Sequence, residues 1–334
     1  MSSCLRWIFI FIVVTTLSAN FASAERWCAT INDGVIPVKV FSFDFDRTAT
    51  PFGAKNAEQL LYRATSEYTK GDRAAKEKLE SKWKKLSFKF RRRYHELTTE
   101  TLNNLTYSNK LGRRKSFRAK EEEFQMYLMK MDQIRKGYVE NILNKKMLVG
   151  ITTNGIRSIA RQIALSPGLI KTLRLLRGEP FNVITAGLSK RLIQAVFNSH
   201  NAPANFVVHA GEIAFKGGES TGKINNKPLT PFDKAWVLRQ LISEAVEKKG
   251  YTIYVGDNYL DLLALLTADI GILIHYTKTT IELVHAFGIE TLPLKVWAGK
   301  RERCWNNETN TDPNPIIFIA QSWNEIGQFV FGRA

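Results

Sequence analysis

The segment Val38-Lys39-Val40-Phe41-Ser42-Phe43-Asp44-Phe45-Asp46 decides the fold, because a run of β-forming residues ends in two closely spaced carboxylates. A second run, residues 251–255, leads into Gly256-Asp257-Asn258-Tyr259-Leu260-Asp261. Carboxylates at the ends of apolar strands repel one another, so a cation is needed to hold them together. Oxygen ligands of this kind favour a hard divalent metal, Mg²⁺ first. The two acidic clusters therefore predict a metal-dependent phosphoryl-transfer site.

Further β-type runs alternate with helical patterns along the second half of the chain. They lie at residues 181–185, 206–209, 251–255, 270–274 and 316–319. Alternation of this kind predicts an α/β fold, a Rossmann-like three-layer core with a mostly parallel sheet. Ligands of such sheets bind beyond the carboxyl ends of the strands, where Asp44 and Asp257 are placed.

Residues 57–134 show little strand pattern and repeat apolar residues at helical spacing instead. Three apolar faces stand out: Ala57, Leu60, Leu61, Ala64 and Tyr68, then Trp83, Leu86, Phe90 and Leu97, then Phe124, Tyr127, Leu128 and Met131. We therefore predict a helical cap inserted at residues 53–165, between the core segments 25–52 and 166–334.

The net charge of +17 is concentrated in the predicted cap, since residues 51–150 hold 24 Lys and Arg against 12 Asp and Glu. One interpretation is a solvated helical face. The other is attraction of phosphorylated substrates or of a polyanionic surface. No recognised nucleic-acid motif occurs in the sequence, so dedicated DNA or RNA binding is not expected.

The N-terminus has the pattern of a signal peptide over residues 1–24. Arg6 precedes an apolar stretch at residues 7–17, and Ala22-Ser23-Ala24 fits a signal-peptidase site. Eleven apolar residues are too few to span a bilayer, which needs roughly 20. We expect a secreted or lumenal protein without a transmembrane segment after cleavage; an uncleaved anchor is the alternative.

Cysteines and glycosylation sequons fit the same compartment. Cys28 and Cys304 remain after cleavage as a pair, for which we predict a disulfide, with two free buried thiols as the alternative. Asn104-Leu105-Thr106 and Asn307-Glu308-Thr309 are glycosylation acceptor sequons.

Four short motifs, in order along the chain, resemble those of the haloacid dehalogenase-like hydrolases. Asp44-Phe45-Asp46-Arg47-Thr48 is similar to their first motif, Asp-x-Asp-x-Thr, and residues 256–261 to their fourth, Gly-Asp-x-x-x-Asp. Thr185, after an apolar run, matches the second motif, and Lys234, at the start of a helical pattern, matches the third.

The residues of the first motif have separate roles in such chemistry. Asp44 is the expected nucleophile, which attacks phosphorus to give an aspartyl-phosphate, and it also ligates Mg²⁺. Asp46 is expected to protonate the leaving alcohol and then to deprotonate the hydrolytic water. The resemblance implies that the backbone carbonyl of Asp46 is a further metal ligand.

The other motifs complete the expected site. Thr185 offers a hydroxyl to the phosphate, and Ala186 lies in the turn before a helix whose free N–H groups suit an anion. Lys234 neutralises phosphate charge. Asp257 completes the metal shell, and Asp261 holds a metal-bound water or orients Lys234.

Roughly 140 residues separate Asp44 from Thr185. This spacing places a large helical cap between the first and second motifs, so the chain resembles the phosphoserine-phosphatase-like branch of this family. More narrowly, it resembles the phosphatase half of plant bifunctional proteins that join a thiaminase-II-like domain to a thiamin monophosphate phosphatase. Ser220-Thr221-Gly222-Lys223-Ile224 and Ser322-Trp323-Asn324-Glu325-Ile326 carry this resemblance. Arg47 and the stretch Gly53-Ala54-Lys55 depart from the phosphoserine phosphatase pattern.

The expected function is thus Mg²⁺-dependent hydrolysis of a small phosphorylated metabolite, with thiamin monophosphate the leading substrate. A broad-specificity extracellular phosphatase of nucleotides or sugar phosphates is one alternative. A non-catalytic protein that binds polyanions through its basic cap is another.

Overall fold

The computed structural model describes residues 27–30, 35–54, 57–110, 116–225, 230–296, 302–305 and 314–332. Its strands are β1 (Trp27–Thr30), β2 (Val38–Phe43), β3 (Val149–Thr152), β4 (Phe181–Ile184), β5 (Phe206–His209), β6 (Ile213–Lys216), β7 (Glu219–Ile224), β8 (Tyr251–Gly256), β9 (Ile270–Ile274), β10 (Glu290–Pro293), β11 (Glu302–Trp305) and β12 (Ile316–Ala320).

The helices fill the connections between these strands. They are α1 (Ala57–Leu60), α2 (Ser66–Lys70), α3 (Arg73–Lys110), α4 (Glu121–Asn144), α5 (Thr153–Ala160), α6 (Leu169–Arg174), α7 (Lys190–Ser199), α8 (Pro231–Glu244), α9 (Leu262–Thr267), α10 (Lys278–Ala286) and α11 (Trp323–Phe331). Short 3₁₀ turns cover Leu61–Ala64, Arg118–Lys120 and Leu294–Val296.

Seven strands form the central sheet in the order β10-β12-β9-β8-β2-β4-β5. Every neighbouring pair in this sheet is parallel. Helices cover such a sheet because consecutive parallel strands need crossover connections. The predicted α/β fold with a mostly parallel sheet is therefore confirmed.

Strand β2 is an interior strand of the sheet, flanked by β8 and β4, which explains why most of its residues are apolar and buried. Phe43 is fully buried, and its ring stacks on Phe181 of β4 at a centroid distance of 5.7 Å. The Trp323 ring of α11 meets the edge of Phe43 at 5.3 Å. Packing against a neighbouring strand and a helix fixes the strand end that carries Asp44.

Helices α3 and α4 are the long pair within the predicted cap. The rings of Phe90 on α3 and Tyr138 on α4 stack at 4.1 Å. Tyr94 of α3 contacts the ring of Tyr259 at 5.9 Å, so the pair also reaches the loop after β8. The helical character predicted for this segment is confirmed.

A second sheet has the order β3-β7-β6 and is antiparallel. Strand β3 belongs to the interval predicted as cap, yet it pairs with β7 of the predicted core. Sequence analysis missed β3 because its four residues are only partly apolar and run directly into a helix capped by Thr152. The boundaries at residues 53 and 165 stay predictions.

The terminal strands β1 and β11 pair antiparallel, with Cys28 directly opposite Cys304 in the register. The disulfide between them stays a prediction. Asn104 lies on the exposed side of α3, whereas Asn307 and the proposed signal peptide, residues 1–24, lie outside the described residues. Among the described helices, none combines the length and the apolar character that crossing a membrane requires.

Candidate active site

Three predicted residues follow the ends of three adjacent parallel strands. Asp44 comes after β2, Thr185 after β4 and Asp257 after β8, and β2 is the middle strand of the three. The backbone N–H of Asp44 donates to the carbonyl of Val255 at 2.9 Å, which extends the β2–β8 ladder to the site. All three side chains are therefore presented at one edge of the sheet.

Lys234 reaches this edge from the first turn of α8. The helix begins there because Thr230 and Asp233 form a reciprocal capping box. Lys234 is buried, and its Nζ lies 2.9 Å from Asp44 Oδ1 and 2.7 Å from Asp261 Oδ1. Burial alone would lower the pKa of Lys234, but Asp261 and Asp44 together raise it above its ordinary value. The side chain is therefore a fixed cation.

Both carboxylate oxygens of Asp261 are engaged by the protein. Oδ1 accepts hydrogen bonds from Lys234 Nζ at 2.7 Å and from the Tyr254 hydroxyl at 2.8 Å, and Oδ2 accepts from the backbone N–H of Asp257 at 3.3 Å. Gly256 permits this approach, because a Cβ there would lie 2.5 Å from Asp261 Cβ. Asp261 thus contacts Lys234, and its two predicted roles stay predictions.

Asp44 and Asp257, in contrast, keep buried oxygens, Oδ1 and Oδ2 respectively, that accept no hydrogen bond from any described residue. Lys234 lies 2.9 Å from the first and Arg47 Nη2 lies 3.1 Å from the second, as ion-pair contacts outside hydrogen-bonding geometry. One carboxylate oxygen each of Asp44, Asp257 and Asp261 lies within 4.8 Å of the others. This spacing suits a single cation.

The electrostatics of the cluster also fit a divalent metal. Burial raises the pKa of Asp44 despite the nearby Lys234, and it raises the pKa of Asp257 despite Arg47. The two cations therefore do not offset the cost of burying these carboxylates. Mg²⁺ would supply the missing charge, and its ligands would be Asp44 and Asp257, since the oxygens of Asp261 are already used.

Asp46 lies in the turn Phe45–Ala49, beyond the end of β2, and is partly exposed. Its Oδ1 accepts a hydrogen bond from the Ala57 N–H at 2.8 Å, which ties the turn to the start of α1. Burial raises the pKa of Asp46 to about 7. A carboxyl group with such a pKa can both donate and accept a proton near neutral pH.

Thr185 begins the loop that precedes α7, and its hydroxyl accepts from the Gly187 N–H at 3.3 Å. The carbonyl of Ala186 in this loop accepts a hydrogen bond from Arg135 of α4. Arg135 also forms a buried ion pair with Glu58 at 2.8 Å. Helix α4 therefore contacts the loop predicted to hold phosphate.

Sequence analysis missed three residues of this site: Tyr254, Arg135 and Glu58. Tyr254 reads as a core aromatic in a buried strand. Arg135 carried a usable signal, because it stands at helical spacing between Met131 and Tyr138 on the buried face of α4. An arginine on an apolar face requires a partner, which here is Glu58.

The chain is similar in sequence to a known plant protein. It is 25% identical over 267 residues to the "Bifunctional TH2 protein, mitochondrial" of Arabidopsis thaliana. The matched region covers 76% of this chain and 42% of that protein. The chain thus spans less than half of that relative. No protein-family model matches.

Two solved structures were also similar. A HAD family hydrolase from Salmonella enterica serovar Typhi gives a TM-score of 0.43 at 16% identity, over 75% of this chain and 67% of that one. A phospho-aspartyl intermediate analogue of phosphoserine phosphatase gives a TM-score of 0.40 at 16% identity, over 74% of this chain and 91% of that one. The match to the plant bifunctional protein confirms the resemblance predicted from the sequence.

Proposed function

We propose that the protein is a Mg²⁺-dependent phosphomonoesterase that works through an aspartyl-phosphate intermediate. The observation that carries this proposal is the buried convergence of Asp44, Asp257 and Lys234 at one edge of a parallel sheet. Two acids and a fixed ammonium group at a strand end suit a reaction in which a carboxylate attacks a phosphoryl group.

Each residue has a defined part in the proposed reaction. Asp44 attacks phosphorus, and Lys234, which already contacts Asp44, offsets negative charge on the phosphoryl oxygens. Asp46 donates a proton to the leaving alcohol and recovers one from water, for which its pKa of about 7 is suited. Thr185 and the N–H groups of its loop bind the phosphate.

Mg²⁺, when bound, supplies the positive charge that lets a carboxylate approach a phosphate. Asp44 and Asp257 are its proposed side-chain ligands, and the backbone carbonyl of Asp46 is the third protein ligand. The buried Oδ1 of Asp44 and Oδ2 of Asp257, which have no hydrogen bond to the residues that the structure describes, support this assignment. Asp261 is left to hold Lys234 and Tyr254 in place.

Thiamin monophosphate is the proposed substrate, and the secretory pathway is the proposed location. Support for the substrate comes from the sequence resemblance to plant bifunctional proteins, strengthened by the match over 267 residues. Support for the location comes from the signal-peptide pattern in the sequence. N-terminal sequencing of protein recovered from a eukaryotic secretory host tests it: a mature chain beginning near Glu25 is expected, and an intact Met1 contradicts it.

The deciding experiment is an assay of the purified protein on thiamin monophosphate, phosphoserine, nucleoside monophosphates and sugar phosphates. We expect hydrolysis with Mg²⁺, loss of activity in EDTA and preference for thiamin monophosphate. Full activity in EDTA would contradict the metal-dependent mechanism. Preference for another ester would contradict the substrate alone.

A further inference from the structure

Arg47 is a charged residue of the first motif that has no part in the proposed reaction. Its backbone has φ of 61° and ψ of 0°, the left-handed conformation that residues other than glycine rarely adopt. Its N–H donates to Thr50 Oγ1 at 2.7 Å, and its carbonyl contacts His275 Nδ1 at 2.8 Å. The surrounding contacts therefore hold a strained turn in place.

The side chain of Arg47 points from this turn to the acidic cluster. Its Nη2 lies 3.1 Å from Asp257 Oδ2, an oxygen that accepts no hydrogen bond within the described part of the chain. The Arg47 side chain is 34% exposed, whereas that of Asp257 is 1% exposed. The guanidinium group thus approaches a buried carboxylate from the solvent side.

We propose that Arg47 is an exchangeable counter-ion: it pairs with Asp257 until a divalent cation takes its place, and it then pairs with the phosphate group of the ligand. This inference rests on the proposed function, because it takes Asp257 as a ligand of the metal. Incomplete pairing is the reason for exchange. The Arg47–Asp257 contact lacks a hydrogen bond among the described residues, and the partly exposed arginine side chain can turn toward a new partner.

The recipient of the displaced guanidinium follows from its chemistry. The guanidinium group has five N–H donors in a planar fork, which match the several oxygens of a phosphate better than they match one carboxylate oxygen. Metal and phosphate therefore help each other to bind: the metal frees Arg47, and the phosphate engages it. Because such coupling is reciprocal, either ligand must tighten the other by the same factor.

Isothermal titration calorimetry with Mg²⁺ as the probe tests the exchange without measuring turnover. The metal-free full-length protein is titrated with and without inorganic phosphate, as wild type, Arg47→Met, Arg47→Gly and Arg47→Lys. Glycine adopts a positive φ without strain, so Arg47→Gly serves if the methionine variant does not fold. Arg93→Met, on the exposed face of α3, is the matched control for loss of one positive charge.

We expect Arg47→Met and Arg47→Gly to bind Mg²⁺ about tenfold more tightly without phosphate, because the competing cation is gone. Phosphate should then tighten Mg²⁺ binding less in these variants than in wild type. Arg47→Lys keeps the competing charge, so its Mg²⁺ affinity without phosphate should stay near wild type, but phosphate should tighten Mg²⁺ binding less because an ammonium group lacks the planar fork. Arg93→Met should stay near wild type in both titrations.

Three results would overturn the proposal. Unchanged or weaker Mg²⁺ binding in both neutral variants excludes competition at Asp257. A phosphate effect as large as in wild type excludes transfer of the guanidinium. If folded wild type does not bind Mg²⁺, this proposal fails together with the metal in the proposed function. If Asp257→Asn abolishes Mg²⁺ binding but the Arg47 variants leave it unchanged, this proposal fails alone.

Discussion

Charge is arranged in opposite ways at the carboxyl edge of the central sheet and along the long helix α3. At the sheet edge, Lys234 pairs with two carboxylates and is 2% exposed at its side chain. On α3, Arg92 pairs with Glu96 at 2.7 Å, but the arginine is 70% exposed. Similar distances therefore hide very different free energies, since water screens one pair and not the other.

The comparison is tested most severely by Asp44→Asn. This change removes the proposed nucleophile and nearly preserves its shape, so we expect activity to fall by at least about 10³-fold. Steady-state assay with Mg²⁺ measures the loss, and circular dichroism checks the fold. Glu77→Gln, the same chemical change on the exposed face of α3, should keep full activity. Substantial turnover by Asp44→Asn would remove the covalent mechanism.

The second test replaces Lys234 with methionine, which leaves Asp44 and Asp261 buried without their shared cation. We expect the free energy of unfolding to drop by about 3–5 kcal/mol. Urea denaturation of the metal-free protein measures it.

Lys248→Met is the matched control, since Lys248 pairs with Glu179 at 2.8 Å but both side chains are about half exposed. That pair should contribute about 0–1 kcal/mol. Equal destabilisation by the two lysine changes would show that burial does not separate the two regions.

Local patterns made the strand-end residues predictable. Asp44 and Asp257 each follow an apolar run that marks a buried strand, so their position at one sheet edge follows from topology alone. Lys234 was predictable as well, because Thr230 and Pro231 mark the start of its helix. These residues could be assigned before any tertiary contact was known.

Long-range contacts were beyond sequence analysis. Arg135 lies 77 positions from Glu58 and 51 from Ala186, so only the packing of α4 brings them together. Strand β10 was also missed, because Glu290-Thr291-Leu292-Pro293 lacks an apolar run and forms only where β12 offers a parallel edge. The sequence encodes such features through tertiary packing rather than through local preference.

The third test concerns Arg135, a buried charge on α4. It asks whether this charge stabilises the fold as much as the buried charges at the sheet edge do. Arg135→Met leaves Glu58 buried and unpaired, so we expect a loss of about 3 kcal/mol in the free energy of unfolding. Chemical denaturation measures it. Arg92→Met, on the neighbouring helix, removes an exposed pair and should cost no more than about 0.5 kcal/mol. A small effect of Arg135→Met would mean that Glu58 becomes protonated or hydrated when its partner is lost.

The smallest expected effect concerns Asp46 and pH. Burial raises the pKa of Asp46 from its ordinary value of 3.8 to about 7, so the folded state favours the protonated carboxyl group. The unfolded chain releases this proton near pH 3.8, whereas the folded chain holds it until about pH 7. The stability that the Asp46 carboxyl group contributes is therefore complete below pH 3.8 and is lost as the pH rises through about 7.

In EDTA, the melting temperature should accordingly fall between pH 5 and pH 8. Asp46→Asn keeps an acceptor for the Ala57 N–H but cannot ionise, so its melting temperature should fall less steeply over the same range. A remaining slope is expected, because the pKa values of Asp44 and Asp257 are raised as well. Glu77→Gln, which removes an exposed carboxylate from α3, should leave the slope unchanged. Identical slopes for Asp46→Asn and wild type would show that Asp46 ionises freely, as a solvated group on the helices does, and would take from it the proton-transfer role.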